Sequence, residues 1–161
     1  MKTLLILRGA PGCGKSTFIQ NNNLKNNTLC ADDIRLAYMR SNGDDFTTIS
    51  QKYNGKVWNL LHKELELRMQ FGVSVVVDAT HSKNEELKLY KKLADEYGYT
   101  LVCIDFSTLP IEECKRRNAG REPLRQVPNE VIDRMYNNFA NNTLPEWIKV
   151  IKEDELNEYF G

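Results

Sequence analysis

The sequence predicts a single α/β domain over residues 1–161, with a central parallel sheet of four to five strands flanked by helices. Three observations predict it. Apolar strand-like runs alternate with helical patterns, which is typical of parallel strands joined by right-handed crossovers. The run VSVVVD is continuously apolar, as expected for a strand buried on both faces. A glycine-rich segment separates the first strand from the first helix, and no linker or repeat interrupts the pattern.

The first half of the chain predicts two strands and three helices. TLLILR at 3–8 and TLC at 28–30 are the strands. Helices are expected from Lys15 to Asn22 and from Asp33 to about Arg40. After the loop SNGDDFT, a long amphipathic helix should run from Ser50 to Phe71. Its apolar residues recur near helical spacing: Tyr53, Val57, Leu60, Leu61, Leu65 and Met69.

The second half alternates in the same way. VSVVVD at 73–78, YTLVCIDF at 99–106 and EWIKVI at 146–151 predict strands, and a short helix should end the chain. Longer helices are expected over 84–97, 110–118 and 128–139, because Gly98 can end the first and Pro110 and Pro128 suit the first turns of the others. The polar segment 118–127 contains Gly120 and Pro123, so it is not expected in the core.

Composition and charge narrow the possible functions. The 22 Lys and Arg residues balance 22 Asp and Glu residues, which argues against a long nucleic-acid groove but permits recognition of one strand end. No apolar run reaches the roughly 18 residues of a membrane span, so no membrane association is predicted. The four cysteines show no metal-binding spacing. Reduced thiols in a cytoplasmic protein are therefore expected.

The segment GAPGCGKS at 9–16 matches the phosphate-binding pattern GxxxxGK[ST] at every fixed position and in the expected strand–helix context. Its backbone N–H groups should surround phosphate oxygens, with Lys15 reaching the β and γ phosphates and Ser16 ligating Mg²⁺. No guanine-specific motif occurs, which favours ATP over GTP. The predicted nucleotide-binding residues here are Gly9, Ala10, Pro11, Gly12, Cys13, Gly14, Lys15, Ser16 and Thr17.

Two aspartates are expected on the acceptor side of the site. In open α/β sheets the site lies at the carboxyl ends of the strands, where Asp32 and Asp78 follow predicted strands. Asp78 looks like the metal-side aspartate that ends an apolar strand, which leaves Asp32 as the candidate general base. Arg35 follows Asp32 by about one helical turn and could grip a phosphate on the acceptor. Alternatively, the aspartates of CADDIR only cap a helix.

A basic segment, CKRRNAGREPLRQVP at 114–128, resembles a lid over the triphosphate. We expect the lid over about 117–127, with Arg121 neutralising charge on the transferred phosphoryl group. Arg117 and Arg125 would support nucleotide binding. The alternative is a solvated basic loop.

These motifs together, GxPGxGKS, DDxR, VVVDAT and RNxxR followed by VP, resemble the phage-type polynucleotide 5′-hydroxyl kinases of RNA and DNA repair. The resemblance implies a P-loop phosphotransferase fold, ATP and Mg²⁺, and transfer of the γ-phosphate to the 5′-hydroxyl end of RNA or DNA. It implies Asp32 as general base, Arg35 on the acceptor's 3′-phosphate with Asp78 beside it, and Lys15 and Arg121 as catalytic groups. A ligase or phosphatase would act in the same pathway. The sequence has no phosphatase or ligase motif, so it is a standalone kinase or an excised domain.

Two rival functions remain open at this point. The first is a small-molecule P-loop kinase for gluconate, shikimate, a nucleoside or the seryl group of an aminoacyl-tRNA. The second is a nucleotide-dependent interaction module or kinase-like toxin without this activity. Five further residues are weighed and given no role: His62, Trp58, Tyr53 and Phe46, which are more often core or surface residues, and His81, which follows Asp78 and could touch the substrate.

Overall fold

The computed structural model describes residues 1–44 and 52–160. Five strands form one sheet: β1 (Thr3–Arg8), β2 (Thr28–Cys30), β3 (Val75–Asp78), β4 (Thr100–Asp105) and β5 (Lys149–Val150). The helices are α1 (Lys15–Asn21), α2 (Ala31–Ser41), α3 (Asn54–Gln70), α4 (Lys88–Tyr97), α5 (Ile111–Ala119) and α6 (Asn129–Asn141). The predicted α/β class and the parallel sheet of four to five strands are confirmed.

The sheet has the order β2-β3-β1-β4-β5, and every neighbouring pair is parallel. β1 therefore lies at the centre, between β3 and β4. The register pairs Leu7 of β1 and Cys30 of β2 with Asp78 of β3, so the carboxyl ends of these strands lie side by side. Because all strands point the same way, the loops after them share one edge of the sheet, where ligands bind in this architecture.

The core lies on both faces of the sheet. On one face Leu4 and Ile6 of β1 pack with the buried stripe of α3 and with α4 residues. On the other face Leu5 and Leu7 pack with Phe18 and Ile19 of α1 and with the C-terminal segment. Every residue of β1 and β3 is buried. This accounts for their continuously apolar sequences, because a central parallel strand has no solvent-facing side.

Several element boundaries differ from the sequence predictions. Helix α2 begins at Ala31 rather than Asp33, and its N-cap is Cys30, so neither aspartate caps it. Helix α3 begins at Asn54, and the predicted start at Ser50, like Phe46, lies outside the described residues. Residues 84–97 form a 3-10 turn followed by α4. The last strand has two residues instead of six, because only Lys149 and Val150 pair with β4.

The structure also bears on the predictions about membrane spans and cysteines. No helix within the described residues is long and apolar enough to cross a membrane. Cys13, Cys30, Cys103 and Cys114 are all free thiols, as the scattered spacing predicts.

The buried stripe of α3 gives a test of the fold. Leu65 is fully buried in the core, whereas Leu67 on the same helix is 48% exposed. We expect Leu65→Ala to lower the free energy of unfolding by about 2–5 kcal/mol, because it removes packed methyl groups and leaves a cavity. The matched Leu67→Ala change should cost less than about 1 kcal/mol. Urea unfolding followed by circular dichroism measures both; equal losses would contradict the assigned face of α3.

Candidate active site

The loop between β1 and α1 forms a phosphate cradle held from behind by α5. Gly14 has a φ of 106° and lies at the N-cap of α1, a conformation that glycine adopts without strain. A Cβ atom on Gly12 would lie 3.1 Å from the backbone nitrogen of Asn118 and 3.2 Å from the carbonyl oxygen of Cys114. The thiol of Cys114 donates a hydrogen bond of 2.9 Å to the carbonyl oxygen of Pro11. The loop therefore packs closely on α5 and needs glycine where the two meet.

Lys15 lies across the mouth of this loop. Its ammonium group donates hydrogen bonds to the carbonyl oxygens of Gly9 and of Ala79, the latter at 3.3 Å. The ammonium nitrogen is also 3.9 Å from Oδ1 of Asp78. Each of these partners belongs to the loop or to the end of β3. The lysine is thus held where phosphate oxygens would replace the carbonyl oxygens as its partners.

Asp78 lies at the end of β3, buried between the cradle and β2. Burial raises the pKa of the Asp78 carboxyl group, and the nearby charge of Lys15 opposes this shift. Burial raises the pKa of the neighbouring Cys30 thiol to about 12, so the thiol stays protonated and can donate to the carboxylate. The ion-pair partner of Asp78 is Lys15, and the metal-side role of this aspartate stays a prediction from its strand position. Its acceptor-side role stays a proposal.

Asp32, Arg35 and Asn54 form a hydrogen-bonded cluster opposite the cradle. The guanidinium of Arg35 donates to Oδ1 of Asp32 at 2.8 Å through Nη1, and to Oδ1 of Asn54 at 2.5 Å through Nη2. Arg35 is buried, while the Asp32 side chain is 39% exposed. The Nε–H of Arg35 is buried and has no hydrogen-bond partner among residues 1–44 and 52–160. Arg35 also lines the cavity, and a guanidinium there suits an anionic ligand.

The basic segment 117–127 is tied together at its two ends. The side-chain amide of Asn118 donates to the carbonyl oxygen of Val127 at 2.7 Å and accepts from its backbone N–H at 3.1 Å. The side chain of Gln126 donates to the carbonyl oxygens of Ala119 and Arg121. These hydrogen bonds close the segment into a loop whose two ends are held together.

The three arginines of this segment have different surroundings. Arg117 pairs with Glu113 at 2.9 Å, and its Nη1 would lie 3.7 Å from a Cβ atom on Gly14. Arg125 pairs with Asp33 of α2 at 3.0 Å. Arg121 has no ion pair among the described residues. Its guanidinium lines the cavity without an ion-pair partner to displace.

One cavity of about 470 Å³ connects these groups. The sequence-predicted residues that line it are Pro11, Gly12, Cys13, Gly14, Lys15, Ser16, Thr17, Asp32, Arg35, Asp78, Arg117, Arg121 and Arg125. Gly9 and Ala10 do not line it; Ala10 is buried against α5 and α6 residues. The cavity thus brings the predicted donor and acceptor residues to one space.

Asn54 and Glu86 line the cavity although the sequence gives no sign of a role for them, and Trp58, which is given no role from the sequence, lines it as well. Asn54 begins α3 and meets Arg35 of α2 only because the two helices pack together, so spacing along the chain gives no signal. Glu86 lies in the 3-10 turn after β3, where burial raises its pKa. The sequence predicts only a helix over 84–97, which gives Glu86 no role in a site.

His81 has a structural position at the base of the site. It is fully buried with a φ of 50°, and its Nδ1–H donates to the carbonyl oxygen of Leu7 at 2.7 Å. The hydroxyl of Tyr90 lies 3.1 Å from Nε2 and donates to it. Burial lowers the pKa of His81 to about 4, so the ring is neutral. His81 also lines the cavity, but both of its ring nitrogens are bonded inside the protein, so contact with substrate stays a hypothesis.

A phosphate cradle, its lysine, two aspartates and a basic segment around one cavity define a P-loop kinase, a class of phosphotransferase. The comparisons agree. A family model described as an AAA domain matches residues 4–141, and the chain belongs to this family of P-loop kinase domains.

Relatives within this class differ in what they act on. The L-seryl-tRNA(Sec) kinase of Methanococcus maripaludis is 30% identical over 145 residues, covering 84% of this chain and 52% of that protein. A chain of the Pnkp1/Rnl/Hen1 RNA repair complex is 27% identical with a TM-score of 0.71, covering 87% of this chain and 44% of that one. The chain thus spans about half the length of these two relatives. The Deinococcus radiodurans tunicamycin resistance protein shares only the fold, at 13% identity, a TM-score of 0.57, and coverage of 98% and 92% of the two chains.

The buried neutral His81 predicts a pH dependence of stability. In the unfolded chain the imidazole titrates near pH 6.5, but in the fold its pKa is about 4. Between these pH values the unfolded state binds more protons than the folded state. The contribution of the neutral imidazole to the free energy of unfolding is therefore present above pH 6.5 and is lost as the pH falls towards 4. We expect His81→Asn, which keeps a donor and tolerates positive φ, to lose about 2 kcal/mol less stability than wild type between pH 7 and 5. Urea unfolding at both pH values measures this; identical losses would contradict a buried neutral imidazole.

Proposed function

We propose that the protein is an ATP-dependent polynucleotide 5′-hydroxyl kinase, which transfers the γ-phosphate to the 5′-hydroxyl end of RNA or DNA. One observation carries this proposal. A carboxylate and a buried guanidinium with an unpaired Nε–H lie together across the cavity from the phosphate cradle. The carboxylate suits an attacking hydroxyl and the guanidinium suits a phosphate on the same acceptor. A nucleic-acid 5′ end carries both groups.

The donor side would take ATP. Membership of the P-loop kinase class implies ATP and usually Mg²⁺. The triphosphate would lie on the cradle and Lys15, and the nucleoside in an adjoining groove between α1, the loop after β4 and the C-terminal segment, which shares Gly14 and Arg117 with the main cavity.

A magnesium ion fits this donor set. Among residues 1–44 and 52–160, no three His, Cys, Asp or Glu side chains cluster as a metal site. Mg²⁺ normally takes one or two protein oxygens together with phosphates and water, which Ser16 and Asp78 at the cradle can provide. When bound, the ion would neutralise charge on the phosphate oxygens. Ser16 is the residue we propose as its ligand.

The acceptor side would activate the hydroxyl. The 5′ oxygen forms a bond to the γ phosphorus while the bond from that phosphorus to the β–γ bridging oxygen breaks, and ADP leaves. The proton of the hydroxyl passes to Asp32, whose partly exposed carboxylate is oriented through Oδ1 by Arg35. Arg35, held in turn by Asn54, binds the acceptor's 3′-phosphate. Orientation of the two reactants accounts for much of the rate in such transfers.

The lid, residues 117–127, would close the donor side. Arg121, which is free of ion pairs within the described chain, neutralises charge on the transferred phosphoryl group. The side chains of Asn118 and Gln126 hydrogen-bond within the lid, so Arg121 lies in a loop of defined conformation. Lys15 acts on the same phosphoryl group from the opposite wall.

A second candidate is a kinase that phosphorylates a hydroxyl carried by a tRNA. The curated relative that favours it is a seryl-tRNA kinase, which is similar to this chain over 84% of its length. The similarity to a chain of an RNA repair complex favours the 5′-hydroxyl kinase instead, and suggests repair enzymes such as a ligase or phosphatase as partners in the pathway. A cytoplasmic location stays a prediction from the cysteines.

An acceptor panel separates these functions. Labelled ATP and Mg²⁺ are incubated with 5′-hydroxyl RNA, 5′-hydroxyl DNA, the same oligonucleotides already phosphorylated at the 5′ end, a seryl-tRNA, gluconate, shikimate and a nucleoside. The proposal expects label on the 5′-hydroxyl oligonucleotides and none on their phosphorylated forms. Label on seryl-tRNA or on a small alcohol alone would contradict it.

Asp32 provides the test of the proposed base. We expect Asp32→Ala to lower kcat by at least about 100-fold, because general base catalysis is typically worth that much. The Kd for ATP should stay within about threefold of wild type, since Asp32 lies on the acceptor wall. Transfer to a 5′-hydroxyl oligonucleotide and equilibrium ATP binding measure the two quantities. Near-normal kcat would remove Asp32 from the mechanism.

Arg35 provides the test of the proposed acceptor clamp. We expect Arg35→Ala to raise the KM for a 5′-hydroxyl oligonucleotide by about 10-fold or more while the KM for ATP changes little, because a charge-assisted hydrogen bond is lost from the acceptor only. Steady-state kinetics with each substrate varied in turn measure both. A change confined to the KM for ATP would assign Arg35 to the donor.

A further inference from the structure

Arg125 belongs by its contacts to the acceptor wall, although it lies in the basic segment with Arg117 and Arg121. Its guanidinium donates to Oδ1 of Asp33 at 3.0 Å, which connects the segment to the first turn of α2. Asp33 is adjacent to Asp32, which holds Arg35. Two neighbouring carboxylates therefore hold two guanidinium groups that line one cavity.

The other arginines of the segment have different positions. Arg117 lies against the cradle glycines and pairs with Glu113 of its own helix. Arg121 lies two residues after the end of α5 and has no ion pair among the described residues. Arg117 therefore lies on the donor side of the cavity, and Arg125 lies on the acceptor side.

We propose that Arg125 is a specificity residue for the acceptor, which binds the second phosphate of the strand while Arg35 binds the first. This inference rests on the proposed function and goes beyond it, because it makes the enzyme prefer acceptors with at least two phosphates. It also assigns Arg125 to the acceptor strand, whereas its place in the basic segment alone suggests that it binds the nucleotide.

The ion pair with Asp33 is suited to this exchange. The Asp33 side chain is 67% exposed, and exposed ion pairs contribute at most about 1 kcal/mol. A phosphate can accept two parallel hydrogen bonds from a guanidinium and carries a full charge, so it competes well with a single exposed contact. Without an acceptor, Asp33 holds the guanidinium against the first turn of α2.

The test compares two acceptors: a nucleoside 3′-monophosphate, with one phosphate, and a dinucleotide that carries a 3′-phosphate, with two. We expect wild type to prefer the dinucleotide by about 10-fold or more in kcat/KM, the worth of one charge-assisted contact. In Arg125→Ala the preference should fall to about threefold or less, with the KM for ATP within about threefold of wild type. Arg125→Lys should retain an intermediate preference because it keeps the charge but not the paired donors.

Arg134→Ala is the matched control, because this exposed arginine of α6 does not line the cavity. It should keep the wild-type preference. A preference that survives in Arg125→Ala, or a rise confined to the KM for ATP, would overturn the inference and leave the proposed function standing. If wild type phosphorylates neither acceptor, the proposed function itself fails, and the inference with it.

Discussion

A single buried arginine joins the loops that build the site. Arg8 ends β1, directly before the cradle, and its guanidinium donates to the carboxylate of Asp105 at the end of β4 and to the carbonyl oxygens of His81 and Asn142. One side chain thus connects the loop after β3, the end of β4 and the end of α6. A buried charge without partners costs several kcal/mol. Because Arg8 is buried, the three segments that carry its partners are held close to it. The cradle begins at the next residue, Gly9, whose N–H donates to the carbonyl oxygen of Thr80 in the loop after β3 at 3.1 Å.

Above that base, the site is organised by paired opposite charges. Lys15 meets Asp78 on the donor side, and Arg35 and Arg125 meet Asp32 and Asp33 on the acceptor side. A chain with no net charge can in this way hold several cations in one cavity without strong repulsion between them. Arg121 stands apart, without an ion pair among the described residues. The arrangement suits a reaction in which phosphate oxygens arrive from two substrates and share these cations.

Much of this could be predicted from sequence because the determining patterns are local. The GAPGCGKS segment fixes a strand–loop–helix unit through its glycines, and the apolar run before Asp78 marks a central strand. The errors arise where tertiary contacts decide. The helix start at Ala31 depends on how β2 pairs with β3, and Asn54 meets Arg35 only through packing of α2 on α3. In the sequence His81 looks like a polar loop residue after Asp78. In the fold it is buried, and its ring nitrogens hydrogen-bond to the carbonyl oxygen of Leu7 and the hydroxyl of Tyr90.

The central claim is that the cavity accepts a hydroxyl and a phosphate belonging to the same acceptor. The most direct measurement compares kcat/KM for a nucleoside with that for the same nucleoside carrying a 3′-phosphate, at saturating ATP and Mg²⁺. We expect the 3′-phosphate to improve kcat/KM by about 10-fold or more, because it gains a charge-assisted contact with Arg35, which lines the cavity. Equal values for the two acceptors would contradict the account and favour a small neutral alcohol as the substrate.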